Sequence, residues 1–126
     1  MKHRILLIED NEINRYLATY LLSQQGLEVA HAINGREGVE KAKADPPDLI
    51  VMDIEMPIMD GYEAAAEILK LPETRHIPIV ASTSYVLPGE RAKALGMGFV
   101  DYIEKPYDPN DFVARVMRCL QPAHPS

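Results

Sequence analysis

The stretch Leu49-Ile50-Val51-Met52-Asp53-Ile54-Glu55-Met56-Pro57-Ile58-Met59-Asp60-Gly61 decides the reading of this chain. It opens as an uninterrupted apolar run of strand length, the pattern of a strand buried on both faces. The run stops at a carboxylate, Asp53. Pro57 and then Asp60-Gly61 break the chain before the next helical pattern, so a loop follows the acid. A carboxylate at the carboxyl end of a buried strand stands where open α/β proteins place ligands and chemistry. Taken alone, an Asp there is more often a turn or helix-cap residue, and its neighbours in the fold must decide.

Outward from this stretch, the pattern repeats. Ile5-Leu6-Leu7-Ile8 is a second apolar run, again closed by acids, Glu9-Asp10, with Asn11 placed to cap a helix. Ile13, Leu17, Tyr20 and Leu21 recur at helical spacing up to Gly26, and Tyr16 and Tyr20 read as helix-face packing. Leu27, Val29 and His31 then alternate as in an edge strand. Asn34-Gly35 starts a helix with a Glu37/Lys41 pair, stopped by Asp45-Pro46-Pro47. Beyond the central stretch, Asp60 and Glu63 form a capping-box start for a helix through Lys70. A strand follows over Ile77–Ser82, then a short helix from near Pro88 to Gly96, and a strand over Phe99–Ile103. A last helix opens at Asp108-Pro109 and carries Phe112, Val113, Val116, Met117 and Leu120 on one face.

Five strands alternating with five helices predict an α/β fold with a parallel sheet covered on both faces. The doubly wound order 2-1-3-4-5 has its switch point between the first and third strands. That topology brings Glu9, Asp10 and Asp53 to one crevice, and the ends of the fourth and fifth strands bring Thr83 and Lys105 to the same rim. Three carboxylates repel one another, and a hard divalent cation such as Mg²⁺ relieves the repulsion. A hydroxyl, an ammonium and a divalent metal around a nucleophilic carboxylate suit phosphoryl transfer. Each residue alone has a plainer reading: helix-start acids, a β-branched strand end, a solvated lysine. The combination is what points to a site.

Composition restricts the rest. The chain has 126 residues and no linker-like tract, which predicts one domain over residues 1–121 and a frayed tail at 122–126. A net charge of −6 argues against a nucleic-acid surface. The single cysteine, Cys119, excludes an internal disulfide and suits the cytoplasm, and no apolar run is long enough to span a membrane. The four histidines share no metal-ligand spacing.

The chain resembles the receiver domains of bacterial two-component response regulators, the flavodoxin-like fold of single-domain regulators. The resemblance rests on Ile8-Glu9-Asp10-Asn11, on Asp48 to Asp53 with Met56-Pro57 and Met59-Asp60-Gly61, on Ile77-Pro78 through Thr83, and on Tyr102-Ile103-Glu104-Lys105-Pro106. It implies that Asp53 accepts a phosphoryl group from a histidine kinase or phosphotransfer protein. It further implies Mg²⁺ held by Asp10, Asp53 and the backbone carbonyl of Glu55, with Glu9 assisting. Thr83 and Lys105 would bind phosphoryl oxygens, Tyr102 would change rotamer on activation, and the Lys105–Pro106 bond would be cis. The downstream target would dock on the face of the fourth helix, fifth strand and fifth helix, from about Val86 to Leu120. In such proteins the positions of Glu55 and Tyr85 tune phosphate lifetime. The chain would catalyse its own phosphorylation and dephosphorylation without an external product, so it is not expected to be an enzyme in the ordinary sense. A haloacid-dehalogenase-like phosphatase would need an Asp where Glu55 stands, and a flavodoxin-like carrier would meet repulsion from Glu9-Asp10. The start at Met1, close to the first strand, favours a free-standing regulator over a receiver detached from a hybrid histidine kinase.

Overall fold

The computed structural model describes residues 2–84 and 87–120. Tyr85, Val86 and the tail from residue 121 onward lie outside the described residues, and with them the expectations about Tyr85 and the frayed tail. The elements run β1 (Arg4–Ile8), α1 (Glu12–Ser23), β2 (Glu28–Ala32), α2 (Gly35–Ala44), β3 (Leu49–Asp53), α3 (Gly61–Lys70), β4 (Ile79–Thr83), α4 (Glu90–Gly96), β5 (Asp101–Glu104) and α5 (Pro109–Leu120). The strands are parallel and ordered β2-β1-β3-β4-β5, as the alternating pattern predicts.

Every residue of β3 and β4 is buried, which is why each opens with an apolar run, Leu49–Met52 and Ile79–Ala81, before its polar carboxyl end. Side chains of alternate residues leave the sheet on opposite sides, so two cores form. Leu6, Ile8, Ile50, Met52, Ile79 and Ala81 pack beneath α2 and α3. Ile5, Leu7, Leu49, Val51, Val80 and Ile103 pack beneath α1 and α5, with Phe112 and Val116 from α5. The last helix therefore buries the stripe that its sequence marks. Each fully buried aliphatic side chain contributes about 1.5–3 kcal/mol.

Caps set the helix starts. Asn11 accepts from the Asn14 amide, Asn34 from the Glu37 amide, and Asp60 with Glu63 forms the full capping box.

Some boundaries and faces differ from the sequence reading. β4 begins at Ile79 rather than Ile77, because Pro78 lacks an N–H and contributes only its carbonyl, to the Ile50 amide at 3.0 Å. β5 begins at Asp101; Phe99 instead sets its ring edge-on to Tyr62, 5.9 Å between centroids. α4 starts at Glu90, after Gly89 at φ 84°. On α1 the buried residues are Ala18 and Leu22, with Leu17 and Leu21 half-buried against them. Ile13 and Tyr20 are exposed, as is Tyr16 at 76 %, so the tyrosines are not packing residues. His31 also faces outward, its Nε2 2.8 Å from the Thr19 hydroxyl.

Candidate functional site

The carboxyl ends of β1, β3, β4 and β5 meet at one rim. Asp53 closes β3, paired in register with Ser82 of β4, and is 3 % exposed. The chain turns sharply after it, and the N-terminus of α3 comes back against the strand end. The Gly61 amide donates to the Ile54 carbonyl at 2.9 Å. A Cβ at Gly61 would lie 2.7 Å from the Asp53 carbonyl oxygen and 2.7 Å from the Ile54 Cα, so glycine is required by space. The Glu55 amide donates to Asp53 Oδ1 at 3.2 Å and fixes the carboxylate's orientation.

Glu9 follows β1 and is almost wholly buried. Its Oε2 accepts the Asn11 amide at 3.2 Å, and its Oε1 accepts the Lys105 ammonium at 2.8 Å. Lys105, just past β5, also lies 3.3 Å from Asp53 Oδ1. Residues 96 positions apart are thus joined by one buried ion pair. Asp10 is exposed at the mouth. Thr83 closes β4, and its buried hydroxyl donates to the Glu55 carboxylate, whose other oxygen accepts the Ser84 amide at 3.3 Å. Tyr102 is only 6 % exposed and packs into the core on the α2–α3 side of the sheet. Its ring is inward, with Thr83 as a hydrogen-bond partner. The Lys105–Pro106 bond is cis, as the resemblance implies.

Electrostatics follow from this crowding. Burial first, then the negative charge and hydrogen bond of Glu9, push the Asp53 carboxyl up to about 8, against the opposing pull of Lys105. Burial acts to lower the Lys105 proton affinity, but the hydrogen bond and charge of Glu9, with the charge of Asp53, outweigh it and the net shift is upward.

Glu9, Asp10 and Asp53 each bring a carboxylate oxygen into a group whose members all lie within 4.8 Å of one another. Three carboxyl groups crowded around one ammonium supply several hard oxygen donors in one place, and such a donor set fits Mg²⁺. Glu9, Asp10, Asp53, Thr83 and Lys105 are thus brought to one rim, and Tyr102 packs in the core on β5 beside Thr83. No histidine belongs to the acidic group.

The sequence reading passed over three supporting residues, Arg15, Ser82 and Tyr107, and one contact of Glu55. Arg15 on α1 donates to the Glu9 carbonyl at 2.9 Å. Behind Asp53, the Ser82 and Tyr107 hydroxyls are 2.8 Å apart, and the Tyr107 ring stacks on Phe112 at 4.2 Å. The hydrophilic Ser82 inside an apolar strand was the available signal for that pair. The contact is that of the Glu55 side chain with Thr83, which sequence spacing does not predict.

Comparison with known proteins agrees with this geometry. The family model described as the response regulator receiver domain matches residues 5–117. Over 111 residues the chain is 43% identical to hybrid signal transduction histidine kinase G of Dictyostelium discoideum, covering 86% of this chain but 3% of that protein. It is 32% identical over 120 residues to the polar-differentiation response regulator DivK of Brucella anthropi, covering 95% of this chain and 98% of that one. Among solved structures, the receiver domain of a sensor histidine kinase from Pseudomonas aeruginosa PAO1 superposes with a TM-score of 0.87 at 32% identity. That match covers 95% of this chain and 98% of the other, and that structure holds a magnesium ion coordinated in its active-site cleft.

Proposed function

Because the chain belongs to the response regulator receiver domain family, we propose that it is a single-domain response regulator that accepts a phosphoryl group on Asp53. The observation that carries this reading is the buried Asp53 carboxylate at the end of β3, with the Lys105 ammonium 3.3 Å away and two further carboxylates around it. The donor is a phosphohistidine of a histidine kinase or phosphotransfer protein. An Asp53 oxygen attacks phosphorus, the P–N bond to the donor imidazole breaks, and the imidazole leaves with its electron pair. Lys105 shifts from the Asp53 carboxylate to a phosphoryl oxygen while Glu9 keeps it oriented. Thr83 supplies its hydroxyl to another phosphoryl oxygen.

Glu9, Asp10, Asp53 and the Glu55 carbonyl would hold Mg²⁺, which when bound offsets the charge that gathers on the equatorial oxygens. The side chains themselves orient the acceptor and exclude water, since Asp53, Glu9 and Thr83 are all buried.

Two surfaces fit protein partners. Ile13, Tyr16 and Tyr20 form an exposed apolar stripe on α1, and Ile58, 82 % exposed at φ 74°, lies on the β3–α3 loop. This face suits the helical donor. The downstream target docks on the α4–β5–α5 face. There Asp101 accepts from Arg91 at 3.3 Å and from Arg115 at 2.9 Å, beside a groove of about 540 Å³ containing Tyr102. Phosphorylation acts on that face through Thr83 and Tyr102. The location is cytoplasmic, where the donor kinases keep their catalytic parts; among the described residues no helix is long and apolar enough to cross a membrane.

A second reading is a phosphorelay receiver of a hybrid histidine kinase, and the 43% identity to a hybrid kinase favours it. A phosphotransfer profile against the histidine kinases of the source organism tests the function and separates the two. A regulator is labelled rapidly by one kinase and then binds a target. A relay receiver passes its phosphoryl group on to a phosphotransfer protein's histidine. Labelling by no kinase, with Mg²⁺ present, overturns both.

A further inference from the structure

The acceptor chemistry calls on Glu55 for its backbone only, yet its side chain is engaged. One carboxylate oxygen accepts the Thr83 hydroxyl and the other the Ser84 amide at 3.3 Å. Glu55 is itself exposed, so burial does not oblige it to seek these partners. The two donors are neighbours at the end of β4, the strand paired with β3, and Ser82 stands in register with Asp53. Two adjacent donors converging on a two-oxygen anion form the arrangement that binds phosphoryl oxygens.

We propose, resting on the reading of Asp53 as acceptor, that the Glu55 carboxylate is a resident competitor for the phosphoryl-oxygen donors and must be expelled before a phosphoryl group on Asp53 can use them. The argument is one of valence and charge. A hydroxyl and an amide each carry a single proton, so Thr83 and Ser84 each serve one acceptor well at a time. A phosphoryl group adds close to two negative charges, and a carboxylate sharing its donors is repelled. Docking the phosphoryl group in this chain therefore exchanges two hydrogen bonds instead of adding two. The inward ring of Tyr102, with Thr83 already drawn to an anion, agrees with a site that holds a stand-in before phosphorylation.

Beryllofluoride with Mg²⁺ is the probe, since it coordinates an acceptor carboxylate without any partner protein. Its affinity is read from the Thr83 and Ser84 amide shifts in wild type, Glu55→Ala and Glu55→Gln, and again in a Thr83→Val background. Freed donors raise the affinity of Glu55→Ala about tenfold, the scale of one hydrogen bond to a charged group. The gain is smaller in Thr83→Val, where one contested donor is gone. A change below about threefold in both Glu55 variants overturns the proposal. So does a gain of equal size with and without the Thr83 hydroxyl, which would mark a general charge effect. Asp53→Asn is the separate check on the acceptor: if it binds beryllofluoride as wild type does, the acceptor reading itself falls, whatever Glu55 does.

Discussion

Replacing Asp53 by Asn should stabilise the metal-free protein, and by an amount that depends on pH. The folded carboxyl is held up to about 8 against an ordinary value of 3.8. Between those values the folded state keeps a proton that the unfolded chain has lost. Folding stability therefore falls as pH rises from about 4 to about 8. At pH 7 the penalty is about 4 kcal/mol, from just over three pH units at about 1.4 kcal/mol each. The Asn amide has the shape of the protonated acid and no ionised form, so the variant escapes the penalty. For a chain of 126 residues the entropy of unfolding converts this to a rise in Tm of about 15 °C. The assay is thermal and urea unfolding of both proteins in EDTA from pH 4 to pH 9. The gap should be near zero at pH 4, widen through neutrality and level off above pH 8. Saturating Mg²⁺ should narrow it by stabilising wild type alone. A gap below about 0.5 kcal/mol at pH 7, or one that does not change with pH, would show that burial and the neighbouring Glu9 do not hold the Asp53 carboxyl up.

Further outcomes follow from the same contacts. Asp10→Ala should lose both Mg²⁺ affinity and phosphotransfer, whereas Lys105→Ala should keep the metal and lose phosphorylation-dependent partner binding; unchanged metal affinity in Asp10→Ala would refute the ligand set. Gly61→Ala should destabilise by about 2–3 kcal/mol through the clash with the Asp53 carbonyl, read as a lower urea midpoint with unchanged m. Tyr102→Ala should abolish the preference of a downstream partner for the phosphorylated form while leaving phosphotransfer rates near wild type, and amide shifts on phosphorylation should then stop at the active-site loops.

The elements that carry the site were the most legible in the sequence, for a physical reason. A strand buried on both faces is mostly apolar, so the acids that follow β1 and end β3 stand out against the run. Capping residues Asn11, Asn34 and Asp60 marked three helix starts because an orphan amide needs an oxygen acceptor. What failed to show was the rotation of α1. Ile13, Tyr16 and Tyr20 lie at helical spacing just as Ala18 and Leu22 do, and periodicity alone cannot say which stripe faces the sheet. The apolar stripe left outside is the one proposed above as the donor-docking face. The Glu55–Thr83 contact was equally hidden. Sequence shows that both residues stand at strand ends, but the direction taken by a flexible side chain in a loop is set by the donors it meets.

The most direct test of the account is to locate the phosphoryl group. The protein is phosphorylated by a phosphohistidine donor with Mg²⁺, the acyl phosphate is trapped by borohydride reduction, and the modified peptide is identified by mass spectrometry. The account predicts modification at Asp53 alone, none in Asp53→Asn, and none in wild type when EDTA removes the metal. Phosphoryl label that persists in Asp53→Asn, or that maps to Asp10 or to any histidine in wild type, would contradict it.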